Sequence, residues 1–554
     1  MSGVLLLAAL SLSAGIAEDL YGHRLLFDAD GMPVIPIGMM QGASRVMVES
    51  AQGLTVTIGD TEIEIAPAVP LLIERIAGRP ARVQEVLVID TLEADDRARK
   101  RDVLAERKAA GVRASLIDVG GVYGVKGTVV DNRASLIFAP PSQRALLEKL
   151  GARPVLLERL NALPSGTLRV CPEAAAADTA QSCVGAVTGA TARVRPKGSG
   201  ALTVRDVEHS VGYAGHGFAD RELRGELVVL FDKNGQLAVV NLVDEDALVA
   251  GVLPSEMFAT APMEALKAQA VTARGELFSK IGRRHFADPY LVCSEQHCQV
   301  YKGLSAEHPR ASKAAEDTKG ELAFVDGRVI PSVYSACCGG HTEAADAVWD
   351  QPPHSALAGR VDAPHADPAS RTWLMPGMVG SALLPELVHA PLDLRRDEAV
   401  RAFLDMPRAG AFCGRSSFNQ KGEAWRWERR FATAELDAAF ADLGVGAVQS
   451  INVEERGPGG RLRALVVSGT KKTARILREL PVRKRLGNLR SGLFVIEEER
   501  DAEGALLGVT LRGAGFGHGS GMCQQGAIGM AEAGYSYQAI LKHYYAGCVV
   551  KRVF

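Results

Sequence analysis

The sequence predicts a multi-domain α+β fold, and three observations indicate it. The chain has 554 residues, more than one hydrophobic core normally organises. Short alternating apolar runs between Gly and Asp turns fill the N-terminal part, as in a series of strands. Farther along, strands alternate with helical patterns, and a long Ala-rich stretch follows a strand pair. We therefore expect a β-rich N-terminal unit, a ferredoxin-like module and a C-terminal domain of mixed α+β structure.

Residues 1–17 are typical of a signal peptide. An apolar run from Val4 to Leu10 is followed by the small residues of Gly15-Ile-Ala17. No Lys or Arg precedes this run, so a buried first strand or helix is the alternative. We expect export, and hence a periplasmic or extracellular protein of the cell envelope. Elsewhere no apolar run reaches the roughly 18 residues that cross a bilayer, so we expect no transmembrane segment.

Two folded units are predicted before the middle of the chain. Residues 18–78 form the β-rich N-terminal unit. In residues 79–170 the order is strand, charged amphipathic helix, strand, an extra strand, strand, helix and strand. Apart from the extra strand, this is the ferredoxin-like split βαβ order. The module resembles a SPOR domain, which grips denuded glycan, and a folded spacer of the same topology is the alternative.

The remaining boundaries follow from composition. Residues 171–220 contain an Ala-rich stretch and a stretch of Pro, Gly and Ser, and they are predicted to be a linker. We expect the catalytic unit in two parts, residues 221–362 and 425–554, separated by a Pro- and Ala-rich insertion at 363–424. Cys171 and Cys183 bracket a short loop, which an oxidising compartment would close as a disulfide and the cytosol would leave as free thiols. Three further cysteines have no assignable partner: Cys413, Cys523 and Cys548.

Composition narrows the class of partner. Hydrophobic residues make up 47% and charged residues 23% of the chain, as in ordinary globular proteins. The net charge of −2 provides no global basic field for nucleic acid or an anionic membrane. A neutral glycan is at least as compatible with this net charge as nucleic acid or an anionic membrane.

Glu256 is the candidate for chemistry. It lies in Val252-Leu-Pro-Ser-Glu-Met257, at a Pro-Ser turn predicted directly ahead of an Ala-rich helix that includes Pro262 to Arg274. The positive helix N-terminus would lower its pKa, whereas apolar neighbours such as Leu253 and Phe258 would raise it. If desolvation prevails, Glu256 holds a proton near neutral pH and delivers it to a leaving oxygen. A helix-capping acid is the alternative.

Four sequence blocks resemble, in order, the stage II sporulation protein D family, also described as the SpoIID/LytB domain. They begin near residue 223 and continue, with an insertion, to the C-terminus. The blocks are Val252–Arg274, Cys293-Ser-Glu-Gln-His-Cys-Gln-Val-Tyr-Lys-Gly303, Tyr334-Ser-Ala-Cys-Cys-Gly-Gly-His-Thr-Glu343 with Trp349, and Gly517-His-Gly-Ser-Gly-Met-Cys-Gln-Gln-Gly-Ala527 with Ile540–Gly547.

The resemblance implies a peptidoglycan lytic transglycosylase. Such an enzyme cuts glycan strands stripped of their stem peptides and leaves 1,6-anhydromuramyl ends. One glutamate, here Glu256, serves as acid and then as base, and no cofactor is required. Four residues of the matching blocks are candidate substrate contacts, each with a structural alternative in capping or core packing: Tyr334, Glu343, His518 and Gln524. A non-catalytic glycan-binding protein that stimulates a cell-wall amidase is the alternative function.

A group of Cys and His residues precedes the second half of the domain. Its members have the residue types of a closed, structural zinc site: His285, Cys293, His297 and Cys298. Some members of the family bind zinc in the corresponding segment. The alternatives are a disulfide from Cys293 or Cys298 to Cys337 or Cys338, or free thiols.

Overall fold

The computed structural model describes seven stretches of the chain: residues 15–150, 154–172, 186–211, 215–349, 351–363, 393–419 and 421–554. Most of the predicted signal peptide, Cys183 and much of the predicted insertion lie outside the described residues. None of the helices in these stretches combines the length and apolar character needed to span a bilayer. The mixed α+β, multi-domain fold is confirmed, and several of the predicted boundaries are wrong.

The N-terminal segment consists of one helix and six strands. Strand β4 shows why they form, since Leu54, Val56 and Ile58 alternate inward with polar residues between them. The elements are α1 (Ile16–Tyr21), β1 (Leu26–Phe27), β2 (Pro33–Ala43), β3 (Arg45–Glu49), β4 (Leu54–Ile58), β5 (Thr61–Ile65) and β6 (Leu71–Arg79).

The next segment has the predicted ferredoxin-like order. Its elements are β7 (Arg82–Glu93), α2 (Arg97–Ala109), β8 (Ser115–Val119), β9 (Val122–Val125), β10 (Thr128–Asp131), β11 (Ala134–Ala139), α3 (Arg144–Lys149) and β12 (Val155–Ala162). The sheet order is β12-β7-β11-β8 with antiparallel neighbours, and β9 and β10 form an extra hairpin. Apolar side chains of α2 and α3 pack on one face of this sheet. The SPOR resemblance stays a prediction.

The predicted linker at 171–220 is wrong, because the described part of it is mostly β-structure. Val194, Leu202 and Val204 are fully buried in its strands, and the Pro-Lys-Gly-Ser-Gly text supplies only the turn between two of them. The strands are β13 (Ser165–Pro172), β14 (Val187–Gly189), β15 (Ala192–Pro196), β16 (Leu202–His209), β17 (Gly217–Leu223), β18 (Glu226–Phe231) and β19 (Leu237–Asp244).

These strands join the N-terminal ones in two sheets that share one core. One sheet runs β1-β2-β19-β18-β15-β4-β5, and the other runs β14-β13-β6-β3-β16-β17. Ile37 and Val239 of the first sheet and Val48 and Val204 of the second belong to the same buried cluster. Residues 18–78 are therefore not a separate unit, because their strands pair with partners more than a hundred residues away.

A helical layer follows the β18–β19 hairpin. Its elements are α4 (Glu245–Glu256), α5 (Met263–Lys280), β20 (Val292–Cys293), α6 (Pro309–Asp317), β21 (Glu321–Val325), β22 (Arg328–Val329), β23 (Tyr334–Ser335) and α7 (Ala345–Val348). Helix α5 is buried along most of its length. Arg274 of α5 and Glu245 of α4 form an ion pair of 2.5 Å with side chains 0% and 1% exposed. This buried pair locks α4 against α5.

The C-terminal part adds two three-stranded sheets, β24-β29-β28 and β25-β26-β27, with a hydrophobic core of their own. The chain then returns, because β30 pairs with β23 and β31 pairs with β21. Within the predicted insertion, α8 and α9 pack onto this part. The elements are α8 (Asp397–Leu404), α9 (Phe412–Arg415), β24 (Arg426–Ala432), α10 (Thr433–Phe440), β25 (Val448–Arg456), β26 (Leu462–Gly469), β27 (Thr473–Leu477), α11 (Glu479–Arg485), β28 (Phe494–Arg500), β29 (Leu506–Ala514), β30 (Met522–Cys523), α12 (Gln524–Glu532), α13 (Tyr537–Tyr544) and β31 (Val549–Arg552).

Candidate functional site

A cavity of about 690 Å³ lies between the helical layer and the ferredoxin-like module. Glu256, the candidate acid, is part of its wall. The module contributes Thr91, Val119 and Leu136 from the sheet face opposite its helices. This volume is typical of cavities that bind small organic ligands.

The cavity continues into a groove. A neighbouring cavity of about 520 Å³ shares Thr91, Arg283, Pro331 and Gln351 with the first one. The module and the helical layer both line this second cavity. An extended polymer could therefore pass along the groove with its backbone beside Glu256.

Glu256 is the last residue of α4, so the prediction of a turn directly ahead of the Ala-rich helix is wrong, although that helix does follow as α5 from Met263. The helix passes through Pro254, and Met257 is its C-terminal cap. The negative end of the helix dipole disfavours a carboxylate there, the opposite of the predicted dipole effect. Burial raises the pKa of Glu256 above its ordinary value, against hydrogen bonds from Tyr334 and the Val300 amide that lower it. The net shift of the Glu256 pKa is upward, toward the protonated form.

Tyr334 lies beside Glu256 in the cavity, where the sequence predicted a substrate contact. It belongs to β23, which pairs in parallel with β30 and thereby joins the two halves of the domain. Gln299 Nε2 donates to the Tyr334 hydroxyl over 3.4 Å and to the Ala273 carbonyl over 3.2 Å. The hydroxyl is thus held in position to donate to the Glu256 carboxylate.

Gln524 is not part of the cavity wall and contacts the backbone of Glu256. Its side-chain amide donates to the Glu256 carbonyl oxygen over 2.7 Å and to Gln269 Oε1 over 3.2 Å. The prediction of a substrate contact is corrected accordingly. Gln524 fixes the backbone that carries the acid.

His518 lines the cavity as a neutral side chain. Burial, with a smaller contribution from Arg461, lowers the pKa of His518 to about 3. Its Nδ1 accepts from the Ser520 amide over 3.1 Å, so the single ring proton resides on Nε2. The ring lies 4.7 Å from that of Trp349, which also lines the cavity. His518 can therefore contact a substrate, but it does not serve as an acid near neutral pH.

Glu343 is fully buried away from the cavity, which corrects its prediction as a substrate contact. Its carboxylate accepts backbone N–H groups of Ala344, Gly459 and Arg461 at 2.8, 2.9 and 2.9 Å. Burial raises the pKa of Glu343, while Arg461 and these amides lower it. Glu343 ties the Gly-rich turn to the hairpin loop between β25 and β26. The local sequence contains no sign of that distant loop.

Charged residues that the sequence did not single out also line the cavity. Glu276 and Lys280 of α5 form an ion pair of 2.5 Å, and Arg284 donates to the His297 carbonyl over 2.7 Å. Arg283, in contrast, makes no hydrogen bond or ion pair through its guanidinium among the described residues, and Glu93 and Glu276 act on it only by longer-range electrostatics. Burial lowers the pKa of Arg283. A desolvated cation without a protein partner thus faces the groove.

The predicted metal ligands come together at one end of the cavity. One ligand atom from each of them lies within 4.8 Å of the others: His285, Cys293, His297 and Cys298. Cys298 Sγ is 3.3 Å from His285 Nε2 and 3.7 Å from His297 Nδ1. Tetrahedral zinc with one sulfur and one nitrogen ligand separates them by about 3.6 Å. The adjacent His297 and Cys298 therefore can share one ion.

The surroundings of this cluster also suit a metal. Asp288 contacts His285 Nδ1 at 2.9 Å, which leaves Nε2 directed at Cys298. A carboxylate on the distal ring nitrogen is the usual arrangement behind a zinc-bound histidine. Cys293 is fixed by β20, which pairs with β2 at the edge of the large sheet.

The cysteines do not form the disulfides considered as the alternative. Cys293, Cys298, Cys337 and Cys338 are all free thiols, and the last two lie in a different cluster. Cys171 is disulfide-bonded, and its predicted partner Cys183 lies outside the described residues.

Part of the chain is similar to a known family. Residues 233–324 match the family described as Stage II sporulation protein, SpoIID. A stage II sporulation protein D from Bacillus amyloliquefaciens is 26% identical over 313 residues, which cover 54% of this chain and 72% of that protein. The chain therefore contains a segment of the SpoIID family. The matched segment includes Glu256, α5 and the Cys/His cluster.

Other similarities extend beyond the SpoIID match. Residues 343–521 match a domain of unknown function, DUF8618, which includes the predicted insertion. An uncharacterized protein of Brachyspira hyodysenteriae is 29% identical over 316 residues, covering 57% of this chain and 68% of that protein. An amidase enhancer of Bacillus subtilis is 28% identical over 303 residues, covering 54% of this chain but only 39% of that protein.

Proposed function

We propose that this SpoIID protein is a peptidoglycan lytic transglycosylase that cleaves denuded glycan strands in the cell envelope. The observation that carries the proposal is Glu256, a carboxyl group with a raised pKa in the wall of a sugar-sized groove. Family membership supports a role in cell-wall metabolism. The geometry suits a reaction in which one group moves a proton twice.

The first step is proton donation. Glu256 gives its proton to the bridging oxygen between C1 of one sugar and C4 of the next, and the C1–O bond breaks. Positive charge develops at C1 as its ring becomes oxocarbenium-like. The Tyr334 hydroxyl stabilises the carboxylate that Glu256 becomes, because it donates a hydrogen bond to it.

The second step closes a ring. The C6 hydroxyl of the same sugar attacks C1, and the Glu256 carboxylate takes the hydroxyl proton. A C6–O–C1 bond forms and Glu256 recovers the proton that it gave away. The products are a 1,6-anhydromuramyl end and a new C4 hydroxyl, without consumption of water.

The ion pair of the neighbouring Glu276 supports the hypothesis that Glu256 is the single catalytic carboxyl group. Glu256 and Glu276 are the two carboxylates among the described residues of the cavity wall. Glu276 pairs with Lys280 at 2.5 Å, so its negative charge is already compensated. A hydrolase would need a second carboxylate free to act as base or nucleophile.

Arg283 supports the choice of denuded strands. Each muramic acid carries a lactyl group whose carboxylate is free only after the stem peptide has been removed. A desolvated guanidinium without a protein partner suits this anion, and it makes charge-assisted hydrogen bonds to carboxylates. An intact stem peptide replaces the carboxylate by a neutral amide.

Zinc at the Cys/His cluster would be structural. His285, Cys293, His297 and Cys298 supply four ligands, so the shell has no open position for chemistry. When bound, the ion would hold the loop that carries His297 and Val300, and Val300 donates to Glu256. Glu256 alone carries out the proton transfers.

Purified full-length protein and amidase-treated sacculi test the proposal. We expect soluble fragments with anhydromuramyl ends, and a loss of about 10²- to 10⁴-fold in rate for Glu256→Gln. Glu316→Gln is the matched control, because Glu316 is an exposed glutamate on α6 with a side chain 73% exposed. Equal activity of the Glu256→Gln and Glu316→Gln proteins would refute the assignment.

The similarity to an amidase enhancer supports a second candidate function. In that case the groove binds glycan and stimulates a partner amidase without cleavage. Binding to denuded strands with no products, together with faster peptide release by an added cell-wall amidase, would identify this function.

A further inference from the structure

A second group of metal-binding residue types lies in the core, apart from the groove. Its ligand atoms are within 4.8 Å of one another and all four residues are buried: Cys338, Asp362, Cys413 and Cys523. Asp362, Cys413 and Cys523 are each 0% exposed. Cys413 and Cys523 had no partner that could be assigned from the sequence. The proximity of three buried thiols and a carboxylate indicates that they share one function.

The spacing of the sulfur atoms matches a shared ion. Cys338 Sγ and Cys413 Sγ are 3.7 Å apart. Two sulfurs on one tetrahedral zinc, each at about 2.3 Å from the ion, are separated by about 3.8 Å. A disulfide would require about 2.05 Å between them. The four ligand atoms are also close enough together to surround a single ion.

The surroundings of the cluster stabilise the negative charge of its own thiolate and carboxylate groups. Cys523 Sγ accepts the backbone amides of Cys338 at 3.1 Å and of Gly526 at 3.3 Å. These bonds favour a thiolate, because amide dipoles stabilise its negative charge. Asp362 accepts the Cys413 amide through Oδ2 at 2.9 Å and the Tyr544 hydroxyl through Oδ1 at 2.6 Å. Both ligands are therefore oriented before any ion binds.

We propose that Cys338, Cys413, Cys523 and Asp362 bind one structural zinc ion. Three thiolates and a carboxylate form a closed tetrahedral shell, so the ion performs no chemistry. This inference is independent of the proposed transglycosylase activity and of the first Cys/His cluster. It explains why these three cysteines gather in the core as free thiols.

The ion would fasten parts of the chain that are far apart in sequence. Cys413 belongs to α9, within the predicted insertion, whereas Cys338 follows β23 and Cys523 ends β30. Cys523 directly precedes Gln524, which holds the Glu256 carbonyl. Loss of the ion should therefore loosen the support of the catalytic carboxyl group as well as lower stability.

Metal analysis of the full chain, purified under reductant and without chelator, tests the proposal. We expect two zinc ions per chain in the wild type and one in Cys293→Ser/Cys298→Ser, which lacks the first cluster. Adding Cys413→Ser to that protein should remove the remaining ion. A Cys293→Ser/Cys298→Ser protein that is folded but contains no metal would overturn the proposal, even if the Cys413 variant fails to fold.

Cobalt(II) added to the metal-depleted Cys293→Ser/Cys298→Ser protein identifies the ligands. We expect thiolate-to-cobalt charge-transfer absorption, together with visible bands of tetrahedral cobalt. Cys337→Ser is the matched control, because Cys337 is an equally buried thiol beside the cluster, and its removal should leave the spectrum unchanged. Peptide mapping that finds a Cys338–Cys413 disulfide in protein isolated without reductant would contradict the assignment.

Discussion

Arg283 provides a sharp test of substrate choice, because the Arg283→Met change removes a charge without leaving a large void. The guanidinium lines both cavities of the groove and has no protein partner among the described residues. A hydrogen bond to a charged group is worth about 1.5–3 kcal/mol, and partial burial limits screening by solvent. Since 1.4 kcal/mol corresponds to a tenfold change, kcat/KM on denuded strands should fall by about 10- to 150-fold.

The assay compares two glycans that differ in the charge of the lactyl group. Denuded strands carry free lactyl carboxylates, and methyl esterification neutralises them. The wild type should lose activity on the esterified strands, whereas Arg283→Met should cleave both equally slowly. Arg144→Met, at an exposed arginine paired with Glu148 on α3, controls for the change in net charge. An equal loss for Arg283→Met on free and esterified strands would refute recognition of the lactyl group.

Three further predictions concern the supports of the site. Tyr334→Phe removes a hydrogen bond that lowers the pKa of Glu256, so the alkaline limb of the kcat profile should move to higher pH, with a loss of about tenfold at the optimum; an unshifted limb would contradict the contact. Arg274→Ala leaves the buried Glu245 unpaired and should lower the free energy of unfolding, measured in urea, by about 3–5 kcal/mol, whereas Glu245→Gln/Arg274→Met should restore most of it. Asp288→Asn should weaken zinc binding at the first cluster by about 10- to 100-fold in a chelator competition, and unchanged affinity would exclude its role behind His285.

Local sequence patterns predicted the structural features that depend on residues close together in the chain. The order of strands and helices in the ferredoxin-like module follows from periodicity within residues 79–170, and the structure has that order. The Cys and His residues of the first cluster lie within one short segment, so their types and spacing indicated a common site. Glu256 was recognisable because its block resembles a family signature.

Interactions between distant segments were not predictable in the same way. The strands at 187–223 include Gly-, Pro- and Ala-containing stretches that are typical of a linker. Only pairing with β3, β4, β13 and β18 makes them part of the two sheets. Glu343 follows a flexible turn that suggested a ligand contact, but a loop more than a hundred residues later supplies its partners. Arg283 becomes notable only because, among the described residues, no side chain makes a hydrogen bond or an ion pair with its guanidinium.

The end of the helix at Glu256 illustrates a competition between local signals. Pro254 suggested a turn before a new helix, because proline is disfavoured in a helix interior. The structure instead includes Pro254 in the last turn of α4, where the buried contacts of Leu253 hold the helix together. This position reverses the expected sign of the dipole effect on the Glu256 carboxyl group.

The central claim is that Glu256 transfers protons within the substrate and water takes no part. Cleavage of denuded strands in water enriched with heavy oxygen, followed by mass spectrometry of the new ends, measures this directly. We expect ends that are lighter by one water molecule than a hydrolysed end and contain no heavy oxygen. Reducing ends that carry heavy oxygen would contradict it and would indicate hydrolysis with a second carboxylate.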